Sequence, residues 1–258
     1  MDDRPFAGRT ALVTGAAARL GRTIALRLGS LGASVVVHHN ANTVGAYQVC
    51  SELQSRGVDA TPLAVDLADT AGPAALIAQA RKATGKPLDF LVNNAAIYPK
   101  SKLETLSWTG LENALRVNAW APFELTRAFA AQAKKGGGVV NLLDTRIADY
   151  DWDHVGYILS KQMLAELTRL TAIQYAPLVR VNGVAPGPIL PPVGEAEATL
   201  DRLSRHLPLR ATPSPDDVAD AVIYLLGSRG VTGEIVSVDG GRHLGKAVYD
   251  AKPEGKAK

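Results

Sequence analysis

The chain has little of what would tie it to a secreted, membrane-spanning or metal-bound existence. Of its 258 residues one is cysteine, Cys50, so no intramolecular disulfide can form, in keeping with a reducing compartment. The opening Met1-Asp2-Asp3-Arg4-Pro5 is acidic and polar where a signal peptide is basic and then apolar. No apolar run approaches the roughly 20 residues of a membrane span. The five histidines, His38, His39, His154, His206 and His243, form no i,i+4 pair and have no cysteine at ligand spacing, which argues against a metal site. Excess charge is scarce too. The formal net charge is +3, and part of it sits in Lys252, Lys256 and Lys258, within a stretch of about residues 246–258 that reads as a solvated polar tail. Without a basic cluster, neither nucleic acid nor a membrane surface is an expected partner. A cytoplasmic location is the expectation. No linker, repeat or low-complexity stretch divides the chain, so one domain is expected over residues 1–258.

Short runs rich in Val, Leu and Ile alternate with longer helix-period stretches. Strands are expected at Thr10–Thr14, Ser34–His38, Thr61–Val65, Phe90–Asn93, Gly138–Leu143, Arg180–Val184 and Glu234–Val238. Their apolar runs do not alternate with polar residues, as in strands covered on both faces. Helices are expected at Val44–Arg56, Ala74–Thr84, Trp108–Ala133 and Tyr157–Ala176. This order predicts an α/β fold with a mostly parallel, doubly wound sheet. The irregular stretch Pro186–Glu195 carries four prolines and is expected to cover a site.

After the first strand comes Thr14-Gly15-Ala16-Ala17-Ala18-Arg19-Leu20-Gly21, then a helix. Gly15 permits a sharp turn, three alanines keep side chains clear, and the helix start offers free N–H groups to a pyrophosphate. Gly21 lets the helix approach the sheet. A tight strand-to-helix turn needs such residues without any ligand as well, so the position after the first strand carries the weight. The second strand ends His38-His39-Asn40-Ala41-Asn42, with no carboxylate to bond ribose hydroxyls and repel a 2′-phosphate. Arg19 can supply positive charge there. NADPH is therefore expected over NADH, with Leu20, His38, Asn40 and Asn42 along its path.

Tyr157 and Lys161 lie four residues apart, one turn on one helix face. An ammonium beside a phenol lowers its pKa from about 10 and makes a usable acid or base. The spacing alone is common by chance.

The ordered set of motifs resembles the short-chain dehydrogenase/reductase family from Arg9 to about Leu244. The matching pieces are Thr14-Gly15-xxx-Arg19-x-Gly21, Asp66 after the third strand, Asn93-Asn94-Ala95 and Asn118. Tyr157-xxx-Lys161, Pro186-Gly187 and Val238-Asp239-Gly240-Gly241 follow in family order. The resemblance implies a Rossmann-type sheet of about seven strands with helices on both faces, and a homo-oligomer, usually a tetramer or dimer. It implies that Tyr157 carries the proton, that Lys161 holds the nicotinamide ribose and lowers the Tyr pKa, and that Asn118 orders a relay water. Asp66 and Leu67 would meet the adenine; Asn94, Ala95, Pro186 and Gly187 the ribose and nicotinamide.

Two departures resemble the pteridine reductase branch: Arg19 replaces the middle glycine, and Asp144 stands where the family has serine. Tyr98, shortly after Asn93-Asn94-Ala95, matches that branch's pterin-stacking aromatic. Substrate contacts are thus expected from Tyr98, Asp144 and Tyr157. Asp144 as a turn residue bonding nearby N–H groups, and Tyr98 as an exposed loop aromatic, stand as alternatives. A second basic residue expected after the second strand is absent, and Asp149-Tyr150-Asp151-Trp152-Asp153-His154 is unusual for the branch. The expectation is an NADPH-dependent reductase of a pterin or dihydrofolate-like ring. A general carbonyl reductase or alcohol dehydrogenase of the same family, or a non-catalytic NADP(H)-binding sensor, are the other readings.

Overall fold

A computed structural model describes residues 4–133, 136–191 and 198–245. The expected tail over 246–258 and residues 192–195 of the proline-rich stretch lie outside the described residues.

Seven strands form one sheet: β1 (Thr10–Val13), β2 (Ser34–His39), β3 (Ala60–Ala64), β4 (Phe90–Asn93), β5 (Gly137–Leu142), β6 (Val179–Pro186) and β7 (Ile235–Val238). Their order is β3-β2-β1-β4-β5-β6-β7 and every neighbouring pair is parallel. The helices are α1 (Arg19–Ser30), α2 (Thr43–Ser55), α3 (Gly72–Thr84), α4 (Trp108–Leu115), α5 (Ala121–Gln132), α6 (Val155–Tyr175), α7 (Ala198–Ser204) and α8 (Pro215–Gly227). Each strand returns to the sheet through a helix, which is why all pairs are parallel.

Side chains alternate between the two faces of the sheet. Val13, Val35 and Val37 pack with Ile24 and Leu28 of α1 and Val222 and Leu225 of α8. Leu12, Val36 and Leu91 point the other way, onto Leu76 of α3 and Leu125 and Phe129 of α5. Both faces are apolar, so the period of two is hidden in the sequence and only the runs are visible.

One expected element is divided. The stretch Trp108–Ala133 forms α4, a π turn over Arg116–Trp120, and then α5. Pro122 lacks an N–H to continue the α-helical ladder, and the wider turn before it absorbs the break. The π turn carries Asn118. Pro186, expected to open the irregular stretch, is the last residue of β6 and pairs with Val238. Among the described residues no helix is long and apolar enough to cross a membrane. None of their His, Cys, Asp and Glu side chains form a metal-holding group of three or more.

Candidate active site

The C-terminal ends of the strands open on a crevice where the strand order reverses, between β1 and β4. The turn after β1 makes its floor. Gly15 has φ 63°, and a Cβ there would stand 3.0 Å from the Ala95 Cα. A Cβ on Gly21 would fall 2.2 Å from the Gly15 carbonyl oxygen, so the helix reaches the turn only without a side chain. Asn94 staples the turn: its side-chain amide donates to the carbonyls of Thr14 (2.8 Å) and Gly15 (3.2 Å). The Thr14 hydroxyl in turn accepts from the N–H groups of Asn94 (2.9 Å) and Ala95 (3.0 Å). Ala18, at the N-cap of α1, offers no side-chain cap and the first turn holds no acid. The leading N–H groups of Arg19, Leu20 and Gly21 therefore have a place for an anion. Arg19 has φ 52°, a left-handed conformation natural to glycine, and its guanidinium reaches the Pro191 carbonyl at 2.8 Å.

His38 corrects an expectation. It was placed along the cofactor, but it is 2% exposed and both ring nitrogens are engaged. Nδ1 accepts from the Gly15 N–H (3.1 Å) and Nε2 faces the Val65 carbonyl (2.9 Å). Burial pushes its pKa down to about 4, so the ring is neutral and pins the glycine turn to the ends of β2 and β3. Asn42 caps α2, accepting from the Gly45 N–H at 3.0 Å. Asn40 and Asp66 are exposed at the rim, with the Asn40 amide 3.4 Å from the Asp66 carboxylate, whereas Leu67 is buried.

Tyr157 and Lys161 lie on the first turns of α6, both buried. The Tyr157 hydroxyl donates to Asp144 Oδ2 at 3.1 Å. Lys161 Nζ donates to the Leu142 carbonyl at 2.6 Å and sits 5.7 Å from the centre of the Tyr157 ring. Burial first, then the charge and hydrogen bond of Asp144, hold the phenol well above its usual pKa. The lowering expected of Lys161 does not outweigh these effects: its ammonium bonds a carbonyl while a carboxylate is bonded to the hydroxyl. Burial brings Lys161 down to about 8, with Asp144 opposing. Asp144 also accepts from the Arg146 N–H (2.8 Å), capping the 3₁₀ turn Thr145–Ala148. One oxygen of Asp144 thus serves the turn and the other the Tyr157 hydroxyl.

Asn118 is held by two neighbours. Its amide donates to the Ile97 carbonyl (2.9 Å) and Ser160 Oγ (3.0 Å), and its oxygen accepts from the Ile97 N–H (2.8 Å). Fully buried, its side chain clamps the Tyr98 loop to α6.

Tyr98 stands edge-on to Tyr157, with centroids 4.6 Å apart at 87°. It was expected to stack on a substrate ring, and one face is already stacked on His154 at 3.8 Å and 12°. Its hydroxyl donates to Asp151 Oδ2 (3.0 Å), which also meets His154 Nδ1 (3.1 Å) and the Arg146 guanidinium. Asp151 Oδ1 accepts from the Asp153 N–H at 3.0 Å. A buried carboxylate thus gathers one wall of the crevice. The other wall is closed at Gly187, whose N–H donates to the Val238 carbonyl (2.9 Å) and where a Cβ would stand 2.8 Å from the Asp239 Cα. The buried Asp239 accepts from the Thr145 hydroxyl and the N–H groups of Gly241 (2.9 Å) and His243 (2.7 Å).

Sequence reasoning missed Thr14, Arg146 and Asp151 as site builders. Asp151 lies in the acidic, aromatic segment that stood out, but only the fold shows which of its three acids turns inward.

The family model described as Enoyl-(Acyl carrier protein) reductase matches residues 15–243. A short-chain type dehydrogenase/reductase of Picea abies is 32% identical over 252 residues, covering 91% of this chain and 92% of the relative. The crystal structure of FolM alternative dihydrofolate reductase 1 from Brucella suis in complex with NADP superposes with a TM-score of 0.88 at 30% identity. It covers 93% of this chain and 97% of that one. The angucycline C-6 ketoreductase LanV with bound NADP superposes with a TM-score of 0.87 at 28% identity, covering 93% and 98%.

Proposed function

Because this chain belongs to the short-chain dehydrogenase/reductase family, we propose that it is an NADPH-dependent reductase in which Tyr157 delivers a proton to a pterin or dihydrofolate-like ring. The family and the relatives make it an NAD(P)-dependent oxidoreductase. The observation that carries the direction is the Tyr157 phenol, kept protonated by burial and by Asp144 at the mouth of the crevice.

The residues fit a dinucleotide. Gly15 and Gly21 leave open a cradle that side chains would fill, and the start of α1 is uncapped. The N–H groups of Arg19, Leu20 and Gly21 would hold the pyrophosphate, and Arg19 with Asn40 and Asn42 the 2′-phosphate. Asp66 and Leu67 would border the adenine. Asn94, Ala95 and Lys161 would meet the nicotinamide ribose, and Pro186 and Gly187 the nicotinamide. Two solved neighbours of this fold, FolM and LanV, hold NADP. When bound, the nicotinamide supplies the hydride that the substrate accepts.

The chain's own residues handle the proton. Tyr157 donates it to the reduced atom, and Asp144, half-exposed beside it, connects the phenol to solvent for refilling. Lys161, charged below about pH 8, stabilises the phenolate left behind. Asn118 and Ser160 hold the Tyr98 loop against α6. Support for a pterin or folate ring comes from Asp144 in place of serine, from the free face of Tyr98, and from likeness to FolM. Likeness to LanV favours a second reading, a general carbonyl reductase.

NADPH oxidation with dihydropterin, dihydrofolate and a panel of ketones separates the two. Turnover of ketones with none of any pterin removes the pterin reading, and full activity in Tyr157→Phe removes the proton role. Exposed apolar side chains on and beside α4 and α6, among them Trp120, Leu159, Leu170 and Ile173, support a homo-oligomer, which light scattering tests.

A further inference from the structure

Arg242 occupies a short 3₁₀ turn, Arg242–Leu244, just beyond β7. The turn is clamped on both sides of it. Gly240 and Gly241 have φ of 66° and 88°, and the Asp239 carboxylate accepts from the N–H groups of Gly241 and His243. His243 Nδ1 lies 3.0 Å from the same carboxylate. Asp239 also takes the hydroxyl of Thr145, the residue after Asp144. One buried carboxylate therefore ties the backbone of Arg242 to the turn that holds the partner of Tyr157.

Most of the charges around this guanidinium are engaged elsewhere. Asp144 gives one oxygen to the Arg146 N–H and the other to the Tyr157 hydroxyl. Asp151 is taken by Arg146, His154 and Tyr98. Asp239 is filled by the clamp itself, Asp153 faces Lys102 at 3.9 Å, and Asp149 is exposed. Among the cations, Arg146 is paired with Asp151 and Lys161 bonds a carbonyl. Arg242 is half-buried, and its side chain makes no hydrogen bond or ion pair among the described residues. Burial, and then Arg146, push its pKa down against the charges of Asp144, Asp149 and Asp239, and its own charge acts on the Tyr98 phenol. A half-buried guanidinium that makes no hydrogen bond of its own is costly unless a ligand or water completes it.

We propose that Arg242 is a specificity-determining residue that receives a carboxylate of the substrate, so that acidic substrates are bound and reduced in preference to uncharged counterparts. A guanidinium offers a carboxylate two parallel N–H donors, and at a half-desolvated site that pairing is stronger than on an open surface. The mixed chemistry of the crevice suits a molecule with a polar reacting end near Asp144 and Tyr157 and an acidic tail toward Arg242. This deepens the reductase reading and rests on it for where the reacting end lies. Within the pterin reading it selects an acid-tailed dihydrofolate over a tail-less dihydropterin; within the carbonyl reading, a keto acid over its methyl ester.

The test uses the full chain as wild type, Arg242→Gln and Arg242→Lys, loaded with oxidised NADP for binding and with NADPH for rates. Calorimetry measures binding of dihydrofolate against dihydrobiopterin, and of an aryl keto acid against its methyl ester; steady-state rates are taken on the same pairs. Binding needs no turnover, so a failed reductase reading shows as absent rates while the acid-to-neutral ratio still reports on Arg242. The expected result is that Arg242→Gln lowers that ratio about 10- to 100-fold through KM, that Arg242→Lys restores part of it, and that high salt erodes it in the wild type. Wild-type protein that binds acids no better than neutral partners overturns the proposal. So does an Arg242→Gln ratio equal to wild type. A loss of NADPH affinity in Arg242→Gln that matches the loss for acids assigns the residue to the cofactor, and overturns it too.

Discussion

Tyr157 directs its hydroxyl to Asp144 across 3.1 Å, while the Lys161 ammonium, one turn on, lies against the ring and bonds the Leu142 carbonyl. A carboxylate at the hydroxyl keeps the proton on the oxygen, as a reductase requires of its acid. Asp144→Asn keeps an oxygen for the Arg146 N–H but removes the charge, so the Tyr157 phenol titrates at lower pH than in wild type. Ultraviolet titration of the phenolate in both proteins checks the direction. Tyr157→Phe lowers the rate of reduction by about 10²- to 10⁴-fold, the usual worth of a positioned acid.

Lys161 sets the alkaline limb. Below about pH 8 it is an ammonium, and as the pH rises through that value the charge that steadies the phenolate is lost. The rate of reduction should therefore fall between pH 8 and 9. The stability effect has the opposite sign: the unfolded chain holds this proton up to its ordinary pKa, so stability rises with pH from about 8 toward 10.5. Lys161→Met removes the cost of a buried charge, at the loss of one hydrogen bond, and is expected to be more stable at pH 7 by roughly 2 kcal/mol while losing activity. Thermal melts read with the activity assay check both.

His38 predicts an acid limb in stability. Its folded pKa is lowered to about 4 from 6.5, so its contribution is present above 6.5 and is lost as the pH falls toward 4, where the unfolded chain binds a proton the native ring refuses. The full loss is about 3 kcal/mol. Urea unfolding of wild type and His38→Gln between pH 7 and 4 should converge as the pH falls; parallel curves would show that His38 does not titrate this way.

Gly21→Ala brings a methyl group 2.2 Å from the Gly15 carbonyl oxygen. Backbone must move at the floor of the crevice, at a cost of about 1–3 kcal/mol. Affinity for NADPH should fall more than tenfold, measured by the cofactor's fluorescence, and Gly57→Ala, in open space at positive φ, serves as a control for strain alone.

Asp151→Ala releases Tyr98, His154 and Arg146 together. Asp151 itself makes no bond to Tyr157, so KM for ring substrates should rise about tenfold with a smaller change in kcat. Equal losses in both would assign Asp151 a role in the chemical step.

All seven strands were legible as short runs rich in Val, Leu and Ile, because the central strands of a sheet covered on both faces do not alternate with polar residues. The glycine turn was legible for a related reason: glycine takes φ 63° at position 15 without strain, and at position 21 any Cβ would meet a carbonyl. Those constraints are local, and a linear chain displays them. Which polar group meets which was decided by the fold alone. His38 turns inward to hold Gly15, Asn118 spends its amide on Ile97 and Ser160, and Tyr98 finds His154 at 3.8 Å, all across separations that no spacing rule spans. Hydrogen bonds depend on direction over a few ångströms, and direction is set by how helices settle on the sheet.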